Sequence, residues 1–184
     1  MADLNDFRRK VEELKAAIRS RLPEVATILT LSTKALAERK IKAQGFGAEY
    51  SQEKVPAWFL KGKELNASGA SFIADVMAEP DPKDRYTNWG ELRAAQGLQT
   101  DHVDASYTNK MWAAMGPLEV RETGNVYSAP LGATNREAQN KLNWNRDQYG
   151  DFIGQAIGPE EKAQLSIVVT EELKKIIDDS KLIP

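Results

Sequence analysis

The chain has 184 residues, 41% of them hydrophobic and 28% charged, with a formal net charge of −2 and no cysteine. Its length fits one domain, or one domain with an appended arm, and the small negative charge excludes a molecule that meets nucleic acid through its whole surface. The missing thiols exclude disulfide stapling and thiolate chemistry, and no apolar run is long enough to cross a bilayer.

The first residues do not read as a secretory signal, so folding in a cytoplasm is expected. Charge is uneven: residues 1–42 carry ten Lys and Arg against six Asp and Glu, leaving −6 for the remainder. A basic arm on an acidic body could touch phosphate or an acidic neighbour, although interleaved acids also suit a solvated helix face.

Leu4, Phe7, Val11, Leu14 and Ile18 recur at steps of three and four, which predicts an amphipathic helix. Asp3 stands where an N-cap would, and Arg8, Arg9 and Lys10 form a cationic group off the apolar stripe. Pro23 closes this helix and suits the first turn of a second, carried by Val25, Ile28, Leu29, Ser32, Ala35 and Leu36. The expectation is a helical pair, or one long kinked arm, over 1–42, followed by a body over 43–184.

Gly45 and Gly47 open a loop that ends at Val55-Pro56. Its aromatics and those just beyond it, Phe46, Tyr50, Trp58 and Phe59, either cover a core edge or insert into a neighbouring subunit. A helix over 66–77 follows, with Phe72, Ile73, Val76 and Met77 inward and Pro80 and Pro82 as stops. Asn88 caps a short helix through Trp89, Leu92 and Ala95 that ends at Gly97.

From Gly97 to Trp112 the pattern is strand-like. Val103, Ala105 and Tyr107 alternate with Asp104, Ser106 and Thr108, before a break at Asn109-Lys110 and two apolar anchors, Met111 and Trp112. Residues 117–121 and 126–131 flank Glu122-Thr123-Gly124-Asn125 as a hairpin, with Gly124 free to take positive φ. Helix returns over 135–145, with Ala138, Leu142 and Trp144 on its inner side. Gly158-Pro159-Glu160-Glu161 starts a last helix with Leu165, Val168, Val169, Leu173, Ile176 and Ile177 as its stripe. The sum is an α+β fold: helical N-terminus, small antiparallel sheet with a hairpin, and an amphipathic C-terminal helix.

No constellation points to catalysis, and no catalytic, cofactor or metal residue is assigned. His102, the one histidine, lies between Asp101 and Asp104 with no second histidine to complete a metal site. Ser51-Gln52-Glu53-Lys54 matches the Ser-x-x-Lys pattern of acyl-transferases, but their companion motifs are missing. Gly45-Phe46-Gly47 lacks a third glycine for a dinucleotide turn. The aromatics are the stronger candidates, and Trp89 and Trp112 join Phe46, Tyr50, Trp58 and Phe59 as interface anchors, with Arg8, Arg9 and Lys10 as the charged part of that surface. The acidic balance around them argues against base stacking.

These elements carry a resemblance. The residues are Gly45-x-Gly47-x-x-Tyr50-Ser51, Gly97-Leu-Gln-Thr100, Val103-Asp104-x-Ser106-Tyr107-Thr108-Asn109-Lys110-Met111-Trp112, the run from Gly132 to Leu142, and Tyr149-Gly-Asp-Phe152. In this order, over roughly residues 40–178, the chain resembles the neck or tail-completion proteins of tailed bacteriophages, also described as virion morphogenesis or minor tail proteins. Their Thr-Gly-x-Leu/Met element corresponds to Thr108-Asn109-Lys110-Met111, with asparagine in place of glycine; asparagine also tolerates the left-handed conformation. Residues 145–152 stand where the family's aromatic segment would be.

The resemblance implies a virion protein that forms a homo-oligomeric ring between portal and tail, touching the portal and other neck or tail proteins. It implies no cofactor, no membrane and no catalysis, with the arm and the aromatic loop as contact surfaces. The alternative reading is a cytoplasmic bacterial protein-interaction or regulatory domain without catalysis.

Overall fold

The computed structural model describes residues 4–61, 63, 65–105 and 109–180. In chain order the elements are α1 (Leu4–Gln44), β1 (Val55–Pro56), α2 (Ala57–Leu60), α3 (Ala67–Ala78), β2 (Tyr86–Thr87), α4 (Trp89–Ala95) and α5 (Lys110–Ala113). They continue with β3 (Met115–Pro117), β4 (Arg121–Thr123), β5 (Val126–Ser128), β6 (Leu131–Ala133), α6 (Arg136–Tyr149), α7 (Phe152–Ala156) and α8 (Pro159–Ser180). The α+β expectation holds. The sequence alone divides the chain at residue 42 into arm and body, whereas the fold forms two compact units, Met1–Lys40 with Asn109–Pro184, and Ile41–Thr108.

Of the two expected forms, a helical pair or one long arm, the first unit has the single helix, 41 residues with Pro23 inside it. A proline there removes a backbone donor and costs about 3 kcal/mol in a helix interior. Packing of the helix beyond the proline, where Val25, Thr30 and Ala37 are buried, offsets that cost. The helix face that carries Ile18 continues through Val25, which is buried, and α8 lies along it in the antiparallel direction. Arg21 bonds Asp179 at 3.3 Å, Arg39 bonds Gln164 at 3.4 Å and Lys40 bonds Glu161 at 2.8 Å.

Strands β3 to β6 form two separate, nested antiparallel ladders. β4 pairs with β5, and outside them β3 pairs with β6, Met115 opposite Ala133 and Pro117 opposite Leu131. Between Thr123 and Val126 the two turn residues are Gly124 at φ +64° and Asn125, the φ pattern of a type II′ turn, as the hairpin reading expected. Asn109 starts α5 in the left-handed region at φ +57°. Behind the sheet, Met111, Trp112, Leu142, Phe152, Ile153 and Ala156 are buried. Trp144 lies outside this core, 58% exposed, with its ring edge-on to Tyr149 at 6.3 Å. It sits two positions from Leu142, about 200° round the helix, so both cannot face inward.

The second unit is built on Ala57, Leu60, Ile73 and Leu92, with Phe72, Val76, Met77 and Trp89 packed against them. Asn66 caps α3 by accepting from the Gly69 amide, and Asn88 with Glu91 forms a reciprocal capping box on α4. Gly97 at φ +72° follows the end of α4.

The expected strand through Val103 is not one. Among the described residues Val103 to Ala105 pairs with no neighbouring strand, and Val103 N–H donates to the Ala48 carbonyl at 3.1 Å. Ser106, Tyr107 and Thr108, which completed the alternation, lie outside the described residues. Val103 and Asp104 are both buried. Adjacent strand residues point to opposite faces, so a segment that buries two in succession must turn, and Ala105 does so at φ +52°.

Candidate interaction surface and a buried polar cluster

The single turn of α2 places four residues in two opposite environments. Ala57 and Leu60 are fully buried in the core of the second unit. That anchoring sets the rotation of the turn and leaves Trp58 and Phe59, its other two residues, 66% and 51% exposed. Their rings meet edge to face at 6.3 Å, and the Lys63 ammonium lies 5.2 Å from the Phe59 ring centre. The β1–β2 ladder continues this surface: Pro56 is the partner of Tyr86, which is 43% exposed. Large aromatics with a polar tip and a rigid base are the side chains that dominate protein contacts.

Arg8, Arg9 and Lys10 are exposed on α1. Arg9 reaches Asp6 and Glu13, and Lys10 reaches Asp6 at 3.7 Å, all within the one helix. Beside them Leu4 and Phe7 are each 63% exposed, and Val11, Leu14 and Ile18 are half-buried.

The other expected anchors are interior or partly so. Trp112 is fully buried, edge-on to Phe152 at 6.3 Å, which makes it a core residue and corrects its reading as a surface anchor. Trp89 is half-buried against the core around Leu92, and Phe46 is half-buried. Lone tryptophans near loops carry no sequence signal that separates these outcomes, because burial depends on which distant elements pack over them.

Tyr50 belongs to a buried polar cluster. Its hydroxyl donates to Asp104 Oδ1 at 3.0 Å, and Asp104 Oδ2 accepts from Arg93 Nη2 at 2.9 Å. The Arg93 guanidinium lies 4.7 Å from the Tyr50 ring centre and also donates from Nε to the Gln99 carbonyl. Arg93 and Asp104 are 3% and 5% exposed. Burial, and next the Asp104 carboxylate, hold the Tyr50 phenol far above its ordinary value, so it stays a proton donor. Arg93 was not singled out from the sequence; its position on the inner side of a short helix was the one signal available.

His102 closes the end of α1. Its Nε2 lies 3.1 Å from the Lys42 carbonyl, its backbone is held by Gln99, and Gly45 at φ +67° leaves space where an added Cβ would come within 2.7 Å of the His102 Cβ. The ring caps a helix carbonyl as a turn histidine does. Among the described residues no group of three or more His, Asp or Glu side chains is placed to hold a metal ion, and no helix is long and apolar enough to cross a membrane.

No protein-family model, curated protein or solved structure matches this chain.

Proposed function

We propose that the chain is a structural subunit of a tailed-phage particle, a ring-forming connector of the neck that works through surfaces and not through chemistry. The observation that carries the reading is the α2 turn, where a buried Ala57 and Leu60 brace an exposed Trp58 and Phe59. Two large aromatic rings held rigidly in water form the centre of a contact, since their burial is the main favourable term of association. A ring subunit needs head-to-tail contacts between unlike patches, and the hairpin that carries Glu119, Arg121, Glu122 and the exposed Val126 is unlike the aromatic Trp58–Phe59 surface in composition.

Native mass spectrometry and negative-stain imaging of the purified protein test the reading. Closed rings are expected, and Trp58→Ser with Phe59→Ser leaves monomers whose helical circular dichroism is unchanged, because neither side chain is in the core. A protein that stays monomeric at high concentration, or a double variant that still closes rings, overturns it.

A further inference from the structure

The N-terminal part of α1, which among the described residues meets the rest of its unit through Arg19 Nη2 donating to Asn125 Oδ1 at 2.8 Å, has a definite partner chemistry. At about 100° per residue, Leu4, Phe7, Val11, Leu14 and Ile18 share one stripe. Arg8 and Lys15 border it on one side and Lys10 on the other, while Arg19 and Arg21, further along the same borders, already meet Asn125 and Asp179. Glu13 stands on the opposite face, and Asp6 and Glu12 lie just outside the border cations, paired with Lys10 and Lys15. Among the described residues α8 reaches only Ser180, one residue past the Asp179 that meets Arg21. Residues 4–20 thus continue about 25 Å of helix beyond that pairing, with Leu4 and Phe7 63% exposed.

α8 shows what this face of α1 accepts. It is an amphipathic helix laid antiparallel along the same stripe, and it brings an acid to a cation at each end of the contact, Asp179 to Arg21 and Glu161 to Lys40. We propose that residues 4–20 dock a second helix of the same kind from a partner protein: amphipathic, with acidic residues bordering its apolar seam. A second copy of this arm does not fit, because cations on both borders of one stripe would face cations on the other in either direction. The bridges that occupy Lys10 and Lys15 now, to Asp6 and Glu12, are exposed pairs within one helix. Such pairs are weak and exchange for a partner's acids at little cost. The inference does not rest on ring assembly.

The test uses the full chain and two labelled peptides of about three heptads each, with leucine at every a and d position and either glutamate or lysine at every e and g position. Fluorescence anisotropy is expected to show the glutamate peptide binding at least about tenfold more tightly than the lysine peptide, the scale that several border pairs supply together, and weakening as salt rises. Leu4→Ser with Phe7→Ser abolishes binding, and Arg8→Glu with Lys15→Glu inverts the ranking. Both pairs are exposed, so circular dichroism stays unchanged. Trp58→Ser with Phe59→Ser leaves binding intact, which separates this outcome from any failure of the ring reading. Equal affinity for the two peptides, no binding of the glutamate peptide, or an unaffected Leu4/Phe7 variant overturns the proposal. So does co-sedimentation with phosphatidylglycerol vesicles in preference to the glutamate peptide, which would make the stripe a lipid-facing surface.

Discussion

Asp104→Asn is the substitution that most directly tests the architecture of the second unit. Asparagine keeps the shape of the side chain and an oxygen for the Tyr50 hydroxyl, but removes the charge that faces Arg93 at 2.9 Å. Arg93 is 3% exposed, so its guanidinium would remain in the interior with no counter-charge. Leaving one member of a buried pair uncompensated costs about 3–5 kcal/mol. Tyr50→Phe removes one hydrogen bond to a charged acceptor, about 1.5–3 kcal/mol, while keeping the ring beneath Arg93. Replacing both charges, Arg93→Met with Asp104→Leu, recovers most of the Asp104→Asn loss, because desolvation is relieved together with attraction. Urea unfolding followed by circular dichroism reads the size of each effect, and hydrogen exchange of the α4 amides places it. If Asp104→Asn costs less than about 1 kcal/mol, or if the double replacement is no better than Asp104→Asn alone, the cluster is not the buried ion pair described above.

Two further outcomes follow from the first unit. Among the described residues Trp112 Nε1 is buried with no acceptor, so Trp112→Phe gives up ring area but no hydrogen bond; it is expected to destabilise by less than half of Trp112→Ala, for which about 3–5 kcal/mol is usual, and equal losses in urea unfolding would mean the indole N–H is bonded. Glu161 accepts from Lys40 at 2.8 Å and from the Gly158 amide at 2.9 Å, and the Lys40 bond, foremost, holds its carboxyl below the ordinary glutamate value. A depressed carboxyl stabilises the fold above its unfolded value of about 4.3 and stops doing so as pH falls through its folded value. Thermal unfolding across pH 3 to 7 should therefore show a smaller acid loss for Glu161→Gln than for the unmodified chain (a range set by that value), and identical profiles would refute the assignment.

Local signals were legible. Asn66, Asn88 and Asn135 stand directly before the helices they cap, each accepting from the amide three residues on, because a short polar side chain reaches the unpaired amides of the first turn. Gly124 turns the hairpin and Gly97 follows the end of α4, both at positive φ, where glycine pays no steric cost. The pair of aromatics at Trp58 and Phe59 was recognised as a surface candidate, and the stripe of the N-terminal helix was read from its spacing alone. What stayed hidden was which member of each alternative the fold would choose.

From the sequence alone, then, came α3, α4, α6 and α8, the Asn88 cap, the hairpin and the apolar stripe of α1, since each depends on residues within a few positions of one another. The tertiary structure decided three things. It kept α1 continuous through Pro23, because α8 pairs with the helix from Arg21 to Lys40. It turned Val103–Ala105 out of a strand, because Asp104 has its partners in Arg93 and Tyr50. It buried Trp112 while leaving Trp58 in water. Each of these outcomes is set by contacts between residues far apart in the chain, and no local pattern encodes them.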